Sequence, residues 1–79
     1  MYDLPKAYVL LNTEIGSERE VLNTIRNIDG VQEAFILWGV YDIIAQVKTD
    51  TMDKLNQIIT NRLQISKVHS KLTVTVTET

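Results

Sequence analysis

The segment Ala7 to Leu11, AYVLL, is apolar at every position apart from the hydroxyl of Tyr8. Side chains alternate along an extended chain, so Ala7, Val9 and Leu11 point one way and Tyr8 and Leu10 the other. A strand apolar on both sides needs cover on both faces of its sheet. The chain has only 79 residues and no cysteine. A domain of this size buries about 60% of the surface of its extended chain. Without disulfides it must pack closely or associate. One domain, residues 1–79, is all that the length allows.

The remaining segments give the order of elements. The first strand is read at Lys6 to Asn12. Gly16 breaks the chain, and Ser17 with Glu20 three residues later has the form of a capping box. Val21, Leu22, Ile25 and Ile28 follow at helical spacing. Asp29-Gly30 ends this helix, with Gly30 in the left-handed position after the C-cap. A second strand is expected from Val31 to Trp38 and a third from Asp42 to Lys48. The loop Gly39-Val40-Tyr41 between them makes an antiparallel hairpin, with Gly39 at a positive-φ position. Asp50 or Thr51 caps a second helix, whose stripe is Met52, Leu55, Ile58, Ile59 and Leu63. The last strand places Val68, Ser70, Leu72, Val74 and Val76 on one side and His69, Lys71, Thr73, Thr75 and Thr77 on the other. The order β-α-β-β-α-β with right-handed crossovers gives an α+β, ferredoxin-like fold. Both helices lie on one face of a four-stranded antiparallel sheet.

That plan leaves one sheet face bare, and in a monomer it should be polar. Strands one and two are apolar on both sides, so the bare face would exceed the few hundred Å² that soluble monomers expose. A second copy packed face to face, a dimeric α+β barrel, resolves this. Val9 is placed near the centre of the bare face. The homo-oligomer is a dimer at least, with an octamer or decamer as larger forms.

Catalytic chemistry finds little support. His69 is the lone histidine, on the polar side of a strand, with no second ligand at a metal-binding spacing. Ser17 has no histidine base, and His69 points away from Ser70. The three glycines, Gly16, Gly30 and Gly39, are isolated, which excludes a phosphate-binding glycine loop. No catalytic residue, metal or cofactor is assigned. Eight Lys and Arg against ten Asp and Glu give a net charge of −2. That balance argues against direct nucleic-acid binding. No apolar run approaches the roughly 20 residues of a membrane span. The N-terminus has no signal-peptide pattern, so a cytoplasmic location is the default.

One segment stands apart: Leu37-Trp38-Gly39-Val40-Tyr41-Asp42. A hairpin tip has no need of two large aromatics and a carboxylate. Trp38 packing in a dimer and Asp42 capping the turn would explain them. A small-ligand pocket would too, with turn N–H groups for a carboxylate and Asp42 for an ammonium group. The spacing leaves both open.

Over about Lys6 to Thr77 the chain resembles the effector-binding (RAM) domain of the Lrp/AsnC family of feast/famine regulators. The likeness rests on the element order, on the passage Leu63 to Leu72, and on Gly39-Val40-Tyr41-Asp42. That turn is similar to the family's glycine-x-x-aspartate turn. Before the last strand, where the family often has Gly-Val, this chain has Lys67-Val68. The resemblance implies dimers through the sheets, further assembly, and an amino-acid effector bound between dimers. It implies Gly39, Val40, Tyr41 and Asp42 as ligand-binding residues, with Ser70 on the last strand. The family's helix-turn-helix is missing, so the chain resembles the stand-alone form. Its implied role is sensing and oligomerisation in control of transcription or amino-acid metabolism, with full-length Lrp/AsnC relatives or metabolic enzymes as partners. Two alternatives share the fold plan: a small dimeric barrel enzyme of monooxygenase or isomerase type, and an ACT-like regulatory domain.

Overall fold

The computed structural model describes residues 4–76. Strand β1, Lys6–Thr13, leads to helix α1, Glu18–Arg26, and then to β2, Val31–Ile36, and β3, Ile43–Lys48. Helix α2, Met52–Gln57, continues into a π turn, Ile58–Arg62, before β4, Val68–Val76. The four strands form one antiparallel sheet in the order β2-β3-β1-β4. This is the expected ferredoxin-like arrangement. Thr77 lies outside the described residues.

The alternation in β1 becomes two unlike faces. Ala7, Val9 and Leu11 are fully buried with Ala34, Ile43, Ala45 and Val47 beneath Val21, Leu22 and Ile25 of α1 and Leu55 of α2. Val9 therefore belongs to the helix-covered core and not to the bare face, because it shares the parity of Ala7 and Leu11. The bare face carries Tyr8 and Leu10 instead. Pairing register places Phe35, Ile44, Leu10 and Leu72 side by side, one from each strand. This apolar row crosses the whole sheet. Next to Leu10 and Leu72 lie Tyr8 and Val74, and the Gln46 amide donates to the Tyr8 hydroxyl at 3.3 Å.

Strand β4 has the reverse polarity of a strand that faces its core with apolar groups. Lys71, Thr73 and Thr75 pair with Leu11, Val9 and Ala7, on the side of the helices. Leu72 and Val74 are on the bare face, 45% and 49% exposed. After Val68, which packs against the core, β4 is an edge strand that leaves the helices and gains little from apolar groups on their side. Lys71 instead extends to the π turn, where its ammonium donates to the Ile59 carbonyl at 2.6 Å.

Several local expectations are corrected. Ser17 is the N-cap of α1, but its φ of −101° and ψ of 3° are not the extended geometry of a capping residue, and its side chain makes no cap bond. The Glu20 carboxylate pairs with Lys67 at 2.7 Å instead. This holds the Lys67 ammonium above its ordinary pKa. Helix α2 is capped by Thr51, whose hydroxyl accepts from the Lys54 N–H at 3.2 Å. Met52 is exposed, and the buried stripe begins at Leu55. Leu55, Ile59 and Leu63 are each four residues apart, a spacing that drifts by about 40° per step in an α-helix. The wider π turn, closed by Leu63 N–H to the Ile58 carbonyl at 3.0 Å, reduces that drift and keeps all three buried.

The hairpin strands also stop short of expectation, at Ile36 and from Ile43. Only the bond from Leu37 N–H to the Asp42 carbonyl, 2.7 Å, extends the ladder into the loop. Gly39 does not have a positive φ; the glycines that do are Gly16 and Gly30. Helix α1 ends at Arg26 with Asn27 as C-cap, so Gly30 serves the turn into β2 and not the helix end itself. Its φ is +96°, and an added Cβ would lie 2.6 Å from Ile58 Cδ1.

Gly30→Ala therefore combines an unfavourable backbone region with a clash against a core-packed side chain. It should destabilise the protein by about 1–2 kcal/mol. Urea unfolding at fixed protein concentration measures this, and an unchanged midpoint would contradict the packing described.

Candidate functional site

The end of the sheet that holds the Leu37–Asp42 loop also holds the end of β1, the loop into α1 and the start of β4. Asp42 ties this end together. Its backbone N–H donates to the Leu11 carbonyl at 2.9 Å, and its Oδ2 accepts from the Thr13 N–H at 2.9 Å. The bond falls where the β1–β4 register shifts between Asn12 and Thr13. The extra residue of that shift is His69 on β4; the Thr13 N–H faces the other side, where pairing with β3 has ended at Ile43, and the carboxylate satisfies it. Asp42 thus caps the end of β1, where the sequence suggested the hairpin turn itself.

The other sequence-derived residues are only partly brought together. Gly39 and Asp42 line one groove of about 640 Å³ between the hairpin and the start of α1. Val40 is 87% exposed at the tip, and Tyr41 is half-buried beside it. Neither lines that groove. Ser70 is on β4, across β1 from Asp42, and lines a separate groove of about 440 Å³ with the passage Leu63–Val68. Its hydroxyl accepts from the Asn12 amide at 3.1 Å. Asn12 and Ser70 are cross-strand partners on the bare face.

The groove also contains residues that the sequence reading did not assign to the site. Glu18 and Arg19 come from the first turn of α1, and Ile36, Leu37 and Trp38 from the hairpin arm. Leu37 and Trp38 belong to the segment for which the sequence leaves dimer packing and a ligand pocket both open, with neither assigned as ligand-binding; Trp38 is fully exposed in the chain. Glu18 and Arg19 follow the N-cap in sequence and have the look of ordinary solvated helix residues. Nothing in their spacing signals that α1 begins opposite the hairpin. Gly39 leaves open space where a Cβ would stand. The surface is therefore mixed: one guanidinium, two carboxylates, and an apolar wall that ends in an indole. Among the described residues, no group of three or more His, Cys, Asp or Glu side chains could hold a metal ion. No helix among them is long and apolar enough to cross a membrane.

Comparison with known proteins fits this geometry. A family model described as the Lrp/AsnC ligand binding domain matches residues 6–79. A hypothetical protein from Pyrococcus horikoshii has the same fold with a TM-score of 0.89 and 31% identity, over 96% of this chain and 93% of its own. AsnC of E. coli superposes with a TM-score of 0.85 at 21% identity, over 95% of this chain but 52% of its own. A transcriptional regulator from Neisseria meningitidis, solved as a complex with L-Met, gives 0.77 at 18% identity, over 94% of this chain and 50% of its own. The last two likenesses are of fold. No curated protein matches the sequence.

The Asp42–Thr13 bond separates the structural role of the carboxylate from any other. Asp42→Ala should destabilise the protein by about 1.5–3 kcal/mol, the worth of a hydrogen bond to a charged group. Asp42→Asn keeps an accepting oxygen and should lose less. Equal stability of wild type and Asp42→Ala in denaturant melts would show that the bond carries no weight.

Proposed function

The chain belongs to the Lrp/AsnC ligand-binding domain family, and from that premise we propose that it is a non-enzymatic sensing module for a free α-amino acid. The ligand binds beside Gly39 to Asp42, where two dimers meet. Its α-carboxylate takes N–H groups of the turn, and its α-ammonium pairs with the Asp42 carboxylate. Such charge-assisted bonds are short and about twice as strong as neutral ones. Tyr41 and Val40, at the exposed tip, and Ser70, across β1, contribute from the neighbouring surfaces that assembly brings together.

The observation that carries this reading is the position of Asp42. Its Oδ2 is held by Thr13 N–H, so the side chain is fixed in the wall of a groove and not free to fold away. The remaining oxygen is positioned without further loss of side-chain entropy. The complex of the Neisseria regulator with L-Met supports the ligand class.

The apolar row Phe35, Ile44, Leu10, Leu72 supports dimers packed through the bare sheet faces. A site shared between dimers couples binding to assembly, by as much as ligand affinity differs between assembled and dissociated states. The regulatory output then passes to protein partners, either full-length relatives by mixed assembly or metabolic enzymes, and not to nucleic acid directly.

Calorimetry with a panel of amino acids on wild type and Asp42→Asn tests the proposal. Asparagine keeps the bond to Thr13 but removes the charge, so affinity should fall by about 1.5–3 kcal/mol. Unchanged affinity would leave Asp42 as a strand cap only. Absence of binding by every amino acid would remove the sensing role.

A further inference from the structure

Trp38 is the one tryptophan of the chain, and it is fully exposed. A solvent-facing indole contributes no burial to the fold, and tryptophan is usually highly buried. It stands at the lip of the groove that contains Gly39 and Asp42, with Ile36 and Leu37 continuing the same wall. Ile36 is itself 40% exposed. The opposite wall, from α1, presents Glu18 and Arg19.

We propose that this groove selects amino acids with large apolar side chains, and that Trp38 is the residue that selects them. The inference rests on the reading of Gly39–Asp42 as an amino-acid site and names the side chains that site accepts. The groove has the two parts that such a ligand needs. Asp42 and Glu18 are negative and suit the ammonium end; Arg19 is positive and adds a guanidinium to the turn N–H groups that take the carboxylate. Ile36, Leu37 and Trp38 offer an apolar wall to whatever extends from Cα. At about 640 Å³ the groove falls within the range of small-molecule sites. A charged side chain placed against that wall would lose hydration and gain no partner there. A small side chain would leave the indole wet.

The chain carries its own reporter. Binding of L-Met, L-Leu or L-Phe should cover Trp38 and shift its emission to the blue, while L-Ala, L-Asp and L-Lys should bind more weakly. Because Trp38 makes no buried contact, Trp38→Ala should fold as the wild type does. Followed by calorimetry, that variant should lose roughly ten-fold in the preference for L-Met or L-Leu over L-Ala, the discrimination that an apolar pocket supplies. Trp38→Phe should retain most of it.

Four results would overturn the inference. Binding of amino acids without preference for large apolar side chains, or a preference that survives Trp38→Ala, leaves the amino-acid site standing and puts its selector elsewhere. A Trp38→Ala change that alters the assembly without ligand, and leaves selection untouched, assigns the indole to a subunit contact. Binding of no amino acid at all removes this inference together with the reading it rests on.

Discussion

The polarity of β4 is the constraint on which the rest of the structure depends. Its apolar residues Leu72 and Val74 stand on the face that no helix covers, and its polar residues Lys71, Thr73 and Thr75 stand on the helix side. A monomer in water would favour the opposite arrangement, because burying apolar surface is the main favourable term in folding. Together with Phe35, Ile44 and Leu10 this makes a second core surface without a second layer. The helices meanwhile serve only three strands well. Lys71 bridges the gap over the fourth by bonding the carbonyl of Ile59.

The same constraint explains the condition of the functional end. Asp42, just before β3, fastens the hairpin to the end of β1. Beyond that fastening the hairpin extends as a loop with Trp38 and Val40 in solvent. Such a segment is a weak element of a single chain and a suitable contact for ligand or neighbour. The fold supplies a rigid anchor, Asp42, next to a surface whose apolar groups find no use within the chain. Sites placed on loops held by a rigid scaffold are common for this reason.

The architecture was legible in the sequence because it follows from two periodicities. Period-two alternation gave four strands, and Val21-Leu22-Ile25 and Leu55-Ile59 gave two helices. The parity of β1 was visible, but which parity faced the helices was not, and Val9 was placed on the wrong side. Two strands apolar on both faces present the same pattern to a local reading from either side. The capping box failed because Ser17 and Glu20 have the right types at the right spacing, while the backbone of the N-cap and the reach of Lys67 decide the outcome. Within the candidate site, Gly39 and Asp42 came to one groove, but Ser70 did not. Glu18 and Arg19 were missed, since their place opposite the hairpin is a tertiary fact that no spacing encodes.

The central claim is that a second copy covers the bare sheet face, and small-angle X-ray scattering tests it most directly. The single chain has a Cα radius of gyration of 12.2 Å. Scattering from the protein at micromolar concentration should give a clearly larger radius and a mass at an even multiple of the chain, retained on dilution. A folded particle with a radius near 12.2 Å and the mass of one chain would contradict the account.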